Sequence, residues 1–228
     1  MPLLSVIVPA YNEETNIPTL VERVAKALSG IDYELIIVDD GSIDNTADIA
    51  KKFEDKHPIR VIRHERNKGK IEALKTGLQA ARGEFIAFLD ADMEYPPEAL
   101  PTMLQKALQD HDLVVATRID TRPLHRRIIS SGSRFLAKLL FTKLRRYRDP
   151  TTEMVLIRRE LCSRYKLKNY IKPFIPLLLM AEKPAEIEIQ LASRSNGKSS
   201  FKIRWIFMYF FELLDLIIKR ICEKEMHP

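Results

Sequence analysis

Two rhythms of apolar and polar positions alternate along the first half of the chain. LLSVIV (residues 3–8), ELIIVDD (34–40), IRVIRH (59–64), EFIAFLD (84–90) and DLVVAT (112–117) are short runs rich in β-branched residues. They read as strands, and the continuous ones as strands buried on both faces. Between the first two, apolar positions 17, 20, 21, 24, 25 and 28 recur at helical spacing, which predicts a helix over residues 14–28. Further helices are predicted from a cap at Asp44 to about residue 55, over 70–82, and from Pro96 and Pro97 to about 110. Strand and helix in this order predict βαβ units, an α/β fold whose mostly parallel central sheet carries helices on both faces. Ligands of such sheets sit at the carboxyl ends of the strands. Those ends read PAYNE (9–13), DDGS (39–42) and DAD (90–92), each polar or acidic.

After residue 118 the rhythm changes. Residues 124–146 predict a cationic amphipathic helix, with apolar positions 128, 129, 132, 135, 136, 139 and 140. MVLIRR (154–159) is a candidate short strand, and AEIEIQLA (185–192) alternates as a half-buried strand does. From about residue 202 the chain predicts an amphipathic helical tail, in which Glu212, Asp215 and Lys219 make a narrow charged stripe. This divides the chain into a body of residues 1–202, with halves 1–118 and 119–202, and a tail of residues 203–228. The apolar run 205–218 is interrupted by Glu212 and Asp215, so it does not predict a simple transmembrane span. Its cluster Trp205–Phe211 is read either as packing on its own sheet or a partner, or as contact with a membrane.

Charge sharpens the division. The chain carries a net +6, but residues 118–148 hold eight arginines and two lysines against Asp120 alone, a local +9. A cationic block of this kind points to an anionic partner such as phosphate, lipid or nucleic acid. It lacks the interleaved aromatics of a single-strand platform, so nucleic acid is not expected. Two cysteines, Cys162 and Cys222, make no disulfide framework, and the N-terminus has no signal pattern; both predict a reduced, cytoplasmic setting. The seven glycines, at 30, 41, 69, 77, 83, 132 and 197, give neither a GxGxxG fingerprint nor a P-loop. A dinucleotide-linked dehydrogenase and a P-loop nucleotidase are therefore disfavoured. A nucleoside diphosphate can still be held by a divalent metal on carboxylates, helped by basic side chains. His64 and His111 read as surface or turn residues, and His125 as a solvent-exposed member of the basic block.

Asp90 and Asp92 flank one alanine at the end of the fourth strand run, and Glu94 follows. Alternate positions of an extended segment share a face, so both aspartates can turn into one crevice. Hard oxygen ligands suit Mg²⁺ or Mn²⁺ bridging phosphate oxygens. The competing reading, acids capping the helix after Pro96, needs one acid and not three.

The pieces SVIVPAYNEE (5–14), IIVDDGSIDNT (36–46), NKGKIEALKTG (67–77) and FLDADMEYPPE (88–98) together resemble glycosyltransferase family 2, which has the GT-A fold. RRIIS (126–130), RDPTTEMVLIRRE (148–160) and an R-x-x-G-x-S run at 194–199 are most similar to the polyprenyl-phosphate, or dolichyl-phosphate, mannosyltransferases of that family. The resemblance implies that Pro9, Ala10, Tyr11 and Glu13 line the nucleoside pocket, with Asp40 on base or ribose. It implies Asp92 as the direct ligand of Mg²⁺ or Mn²⁺, with Asp90 and Glu94 beside it; Glu94 stands where the mannosyltransferases carry glutamine. Lys70, Ala91, Arg194 and Lys198 complete the implied nucleotide-sugar set, Arg118 contacts donor phosphate, and Arg126 and Ser130 hold the acceptor phosphate. The implied reaction is inverting transfer of a hexose, first of all mannose from GDP-mannose and next a UDP-hexose, to a polyprenyl phosphate. The implied location is peripheral, on the cytoplasmic face of a membrane. Two departures stand out: Glu153-Met154 replaces the family's Gly-Phe, and Ser199-Ser200 replaces Ser-Lys. The first opens an alternative, transfer of a UDP-sugar to a hydroxyl with Glu153 or Asp149 as base. A binding protein without catalysis is the third reading, and the intact acids argue against it.

Overall fold

The computed structural model describes residues 1–119, 124–164, 167–191 and 208–218, of which 124–130 by backbone alone. Seven strands form one sheet: β1 (Leu4–Ala10), β2 (Tyr33–Asp39), β3 (Ile59–Arg63), β4 (Phe85–Phe88), β5 (Leu113–Ile119), β6 (Val155–Arg158) and β7 (Pro184–Gln190). Their order is β3-β2-β1-β4-β6-β5-β7. Only β6 runs against its neighbours, pairing antiparallel with both β4 and β5. The parallel core β3-β2-β1-β4 is the arrangement that the strand–helix alternation predicts.

Burial follows the strand period. In β1, Leu4, Val6 and Val8 enter one apolar cluster while Ile7 enters the other, on the opposite face. The first face is covered by α1 (Ile17–Ala27), α2 (Thr46–Lys51) and α4 (Leu100–Ala107). The second is covered by α3 (Lys70–Ala80), α5 (Leu124–Leu140), α6 (Arg159–Ser163) and α7 (Ile175–Met180). α3 lies close to β1: a Cβ on Gly77 would stand 2.4 Å from Ile7 Cγ2, so a side chain there would overpack the contact.

Some predicted boundaries shift. The cationic helix runs to Leu140, and a 3-10 turn at Thr142–Arg146 replaces its last part, because Phe141 between them is extended (φ −127°) and buried. α2 stops at Lys51, and the Asp44 carboxylate accepts from the backbone N–H of Thr46 at 3.0 Å at its start. β4 ends at Phe88, which leaves Asp90 two residues past the sheet. Residues 208–218 are helical. Tyr209 and Leu213 of this segment belong to the second core cluster, whereas Met208, Phe210, Phe211 and Ile218 are exposed. One face of this helix therefore packs on the body of the protein, and the other presents apolar side chains to the surface. Among the described residues no helix is long and apolar enough to cross a membrane.

Candidate active site

β1, β2 and β4 are parallel neighbours, so their carboxyl ends open on one edge of the sheet. Each chain segment turns sharply as it leaves. Asn12 after β1 and Met93 after β4 both adopt the left-handed conformation at φ 56°. That region is uncommon for a residue with a side chain, and rarer still for a long one. Gly41 after β2 has φ 70°, and a Cβ there would stand 2.4 Å from the Arg66 backbone. Only glycine lets the loop after β3 pass this close to the end of β2.

That close passage organises Asp40. Its carboxylate is 3% exposed and accepts from the backbone N–H groups of Lys68 (2.9 Å) and Gly69 (2.7 Å). His64 Nδ1 lies 2.7 Å from the same carboxylate and Nε2 lies 2.9 Å from Thr76 Oγ1. His64 is thus buried, contrary to the surface or turn position expected for it, because the end of β3 is drawn beneath α3 by these bonds. Asp40 keeps one side on the cleft while holding the 64–69 loop.

The cleft has a volume of about 370 Å³. Pro9, Ala10, Tyr11, Glu13, Asp40, Lys70, Asp90, Ala91 and Asp92 all line it, as the sequence implies, joined by Asn67, Gly69 and Glu153. Asn67 and Gly69 belong to NKGK, a motif already visible in the chain, so their place was recoverable. Glu94 is absent from this lining; its backbone N–H donates to Asp92 Oδ1 at 3.0 Å, and the turn aims Asp92.

Arg118 is not among the residues that line the cleft. Its guanidinium donates to both Asp149 oxygens, at 2.5 and 3.0 Å, and to Thr151 Oγ1 at 3.1 Å. Both partners are nearly inaccessible. Burial pushes the Asp149 carboxyl upward, but the Arg118 hydrogen bond and charge outweigh it and hold the group below its ordinary value. The pair pins the 149–152 turn, and Thr152 Oγ1 donates to Ala116 O at 2.7 Å. Arg118 thereby positions Glu153 at the cleft. The side chains of Arg126 and Ser130, and all of Arg194 and Lys198, lie outside the described residues.

A chain of alternating charges crosses the cleft floor. Lys70 Nζ lies 2.7 Å from Asp90 Oδ1, 2.9 Å from Asp90 Oδ2 and 2.5 Å from Glu153 Oε2. Glu153 Oε1 accepts from Lys172 Nζ at 2.6 Å. Burial raises the Glu153 pKa, yet the two ammoniums together hold it well below the usual carboxylate range. Asp90 goes the other way: burial, reinforced by Glu153 and Asp92, outweighs Lys70 and lifts it to about 6. Nothing in KNYIKPF (168–174) marks Lys172 out in the sequence.

The donors suit a hard divalent cation, for Asp90 and Asp92 present carboxylates to one cleft. Among the described residues no group of three His, Cys, Asp or Glu side chains closes around one point. Such a site fits Mg²⁺ or Mn²⁺ that draws its remaining ligands from a bound diphosphate and water, the usual arrangement at nucleotide sites.

The strand order with β6 alone reversed, and the cleft at the ends of β1, β2 and β4, define a GT-A fold. Glucosyl-3-phosphoglycerate synthase from Mycobacterium tuberculosis, solved with Mn²⁺, uridine diphosphate and phosphoglyceric acid, superposes with a TM-score of 0.73 at 22% identity, over 96% of this chain and 78% of that one. A second solved mycobacterial protein gives a TM-score of 0.75 at 25% identity, over 93% of this chain and 74% of that one. The chain belongs to Glycosyl transferase family 2, which it matches over residues 5–170. Among curated proteins it is 30% identical to a dolichol-phosphate mannosyltransferase of Pyrococcus furiosus over 223 residues, and 32% identical to an undecaprenyl-phosphate 4-deoxy-4-formamido-L-arabinose transferase of Proteus mirabilis over 223 residues. Each alignment covers 94% of this chain, which spans 63% and 67% of the length of those two relatives.

Proposed function

We propose that this chain transfers a hexose from a nucleoside-diphosphate sugar to a polyprenyl phosphate, inverting the anomeric centre. The observation that carries the choice of acceptor is the state of Glu153. A hydroxyl acceptor needs a general base with a pKa near the working pH. Glu153 is tied by two ammoniums and held well below the carboxylate range, which makes it a poor base. Asp149, the other candidate base, is buried and closed off by Arg118. A phosphate monoester has its second pKa near ~6 and is already a nucleophile at neutral pH. The two curated relatives support this reading, since both are named for transfer involving a polyprenyl phosphate.

In this reading Pro9, Ala10 and Tyr11 receive the nucleoside, and Lys70 faces the diphosphate. Asp90 and Asp92 hold Mg²⁺ or Mn²⁺, which when bound stabilises the charge gathering on the departing diphosphate. Arg118 keeps the Glu153 turn in place, and Arg126 and Ser130 take the acceptor phosphate in the role that the family resemblance implies. GDP-mannose is the first donor to try and UDP-hexoses come next. The exposed Phe135, Leu139, Phe211 and Ile218, beside the +9 block, support docking at an anionic bilayer surface.

The test is to incubate the protein with radiolabelled nucleotide sugars, a polyprenyl phosphate, and Mg²⁺ or Mn²⁺. Label entering the organic phase only when lipid and metal are both present is the expected result. Transfer to a water-soluble hydroxyl acceptor instead would overturn it.

A further inference from the structure

We propose that Lys70 occupies the cation position of this site in the free protein, and exchanges it for donor phosphate when a divalent ion arrives. The inference rests on the reading of Asp90 and Asp92 as cation ligands. Its ground is geometric. The Lys70 ammonium straddles both oxygens of Asp90 at 2.7 and 2.9 Å, so it covers the carboxylate that a divalent ion would need. Mg²⁺ would approach such a carboxylate more closely still, since its oxygen ligands lie at about 2.0–2.1 Å. An ammonium left in place would then face a divalent charge across a few ångströms, and like charges this close repel strongly. One cation must leave.

The local structure allows that departure. Lys70 is the first residue of α3, next to Gly69, and its side chain is 38% exposed. Its four-carbon stem can swing without disturbing the helix. Glu153 supplies the second hold at 2.5 Å, and Lys172 on the far oxygen of Glu153 keeps that carboxylate charged and in place. Charge accounting favours the swap. A donor diphosphate entering a cleft that already contains Asp40, Asp90, Asp92 and Glu153 needs positive charge on both sides of it. A divalent ion on Asp90 and Asp92 supplies one side, and the released ammonium supplies the other. In the free protein Lys70 screens the acids from one another, so the protein alone holds a divalent ion weakly and the donor brings it in.

The experiment measures Mn²⁺ binding directly, by electron paramagnetic resonance of the free ion, with and without GDP or UDP. Wild type, Lys70→Met and Lys70→Gln are compared, with folding checked by circular dichroism. Without nucleotide, both variants are expected to bind Mn²⁺ at least ~10-fold more tightly than wild type. With Mn²⁺ saturating, they are expected to bind the nucleotide at least ~10-fold more weakly. Adding Asp90→Asn to Lys70→Met should abolish the gain. A Lys70 that merely supports the fold would give the opposite sign, weaker Mn²⁺ binding in a less stable protein. Folded variants with Mn²⁺ affinity equal to or below wild type would overturn the exchange while leaving the metal site standing. Absence of Mn²⁺ binding in every protein, with nucleotide as without, would overturn the metal site and the exchange together.

Discussion

Glu153→Gln separates a phosphate acceptor from a hydroxyl acceptor at a single atom. The substitution keeps the shape of the side chain but removes the charge that holds Lys70 at 2.5 Å and Lys172 at 2.6 Å. Hydrogen bonds to charged groups contribute about 1.5–3 kcal/mol each, and stripping one partner from a buried pair costs about 3–5 kcal/mol. Here the three side chains are 28%, 38% and 23% exposed, so water relieves both lysines and the cost falls to about 1–3 kcal/mol of stability. Catalysis should suffer less. Since Glu153 is held well below the carboxylate range, it carries no proton through the neutral region and contributes no acid limb there. A limb near pH ~6 has other sources, the acceptor phosphate and Asp90, and stays in the variant. The expected loss in kcat/KM is under ~10-fold, or ~1.4 kcal/mol. The assay is transfer of label into polyprenyl phosphate between pH 5 and 9, beside a denaturant melt of each protein. A loss of ~10² or more, with the acid limb gone and donor affinity unchanged, would refute the reasoning and install Glu153 as a base.

Asp92→Asn should remove ~2–4 kcal/mol of transition-state stabilisation and leave the fold intact, measured as turnover across a full metal titration; near-wild-type turnover would exclude Asp92 as a ligand. Asp149→Asn leaves Arg118 buried without its counter-charge and should cost ~3–5 kcal/mol of stability at pH 7. The Asp149 carboxyl lies below its ordinary value in the folded state, so its contribution is complete above the unfolded value of 3.8 and is lost as pH falls through the folded one. The gap between wild type and Asp149→Asn should therefore stay constant down to about pH 4 and narrow below it. Phe211→Ser with Ile218→Ser changes only exposed positions, so stability should move by less than ~0.5 kcal/mol per site. Sedimentation with anionic liposomes should fall, and added salt should weaken what remains; an unchanged sedimentation would remove the tail from the membrane contact.

Much of this molecule was legible in one dimension. The buried strands and amphipathic helices announce themselves because side-chain direction repeats every two residues in a strand and every 3.6 in a helix. The ligand edge followed, since parallel strands joined by helices must all end on the same side. The strand periods alone therefore put the acids of DAD and the PAYNE and DDGS turns at that edge. The sequence was silent on partners. Lys70 and Glu153 are 83 residues apart, and Arg118 and Asp149 are 31 apart. They meet because β6 inserts between β4 and β5, which carries the 149–153 turn back across the cleft. That is also why the sequence shows neither the burial of His64 nor the Arg118–Asp149 pair: their charges are visible, and their counter-charges arrive from other parts of the sheet. Periodicity is a local property encoded residue by residue. The pKa of Glu153, by contrast, depends on which ammoniums the folded sheet brings within 3 Å of it, and only the tertiary structure decides that.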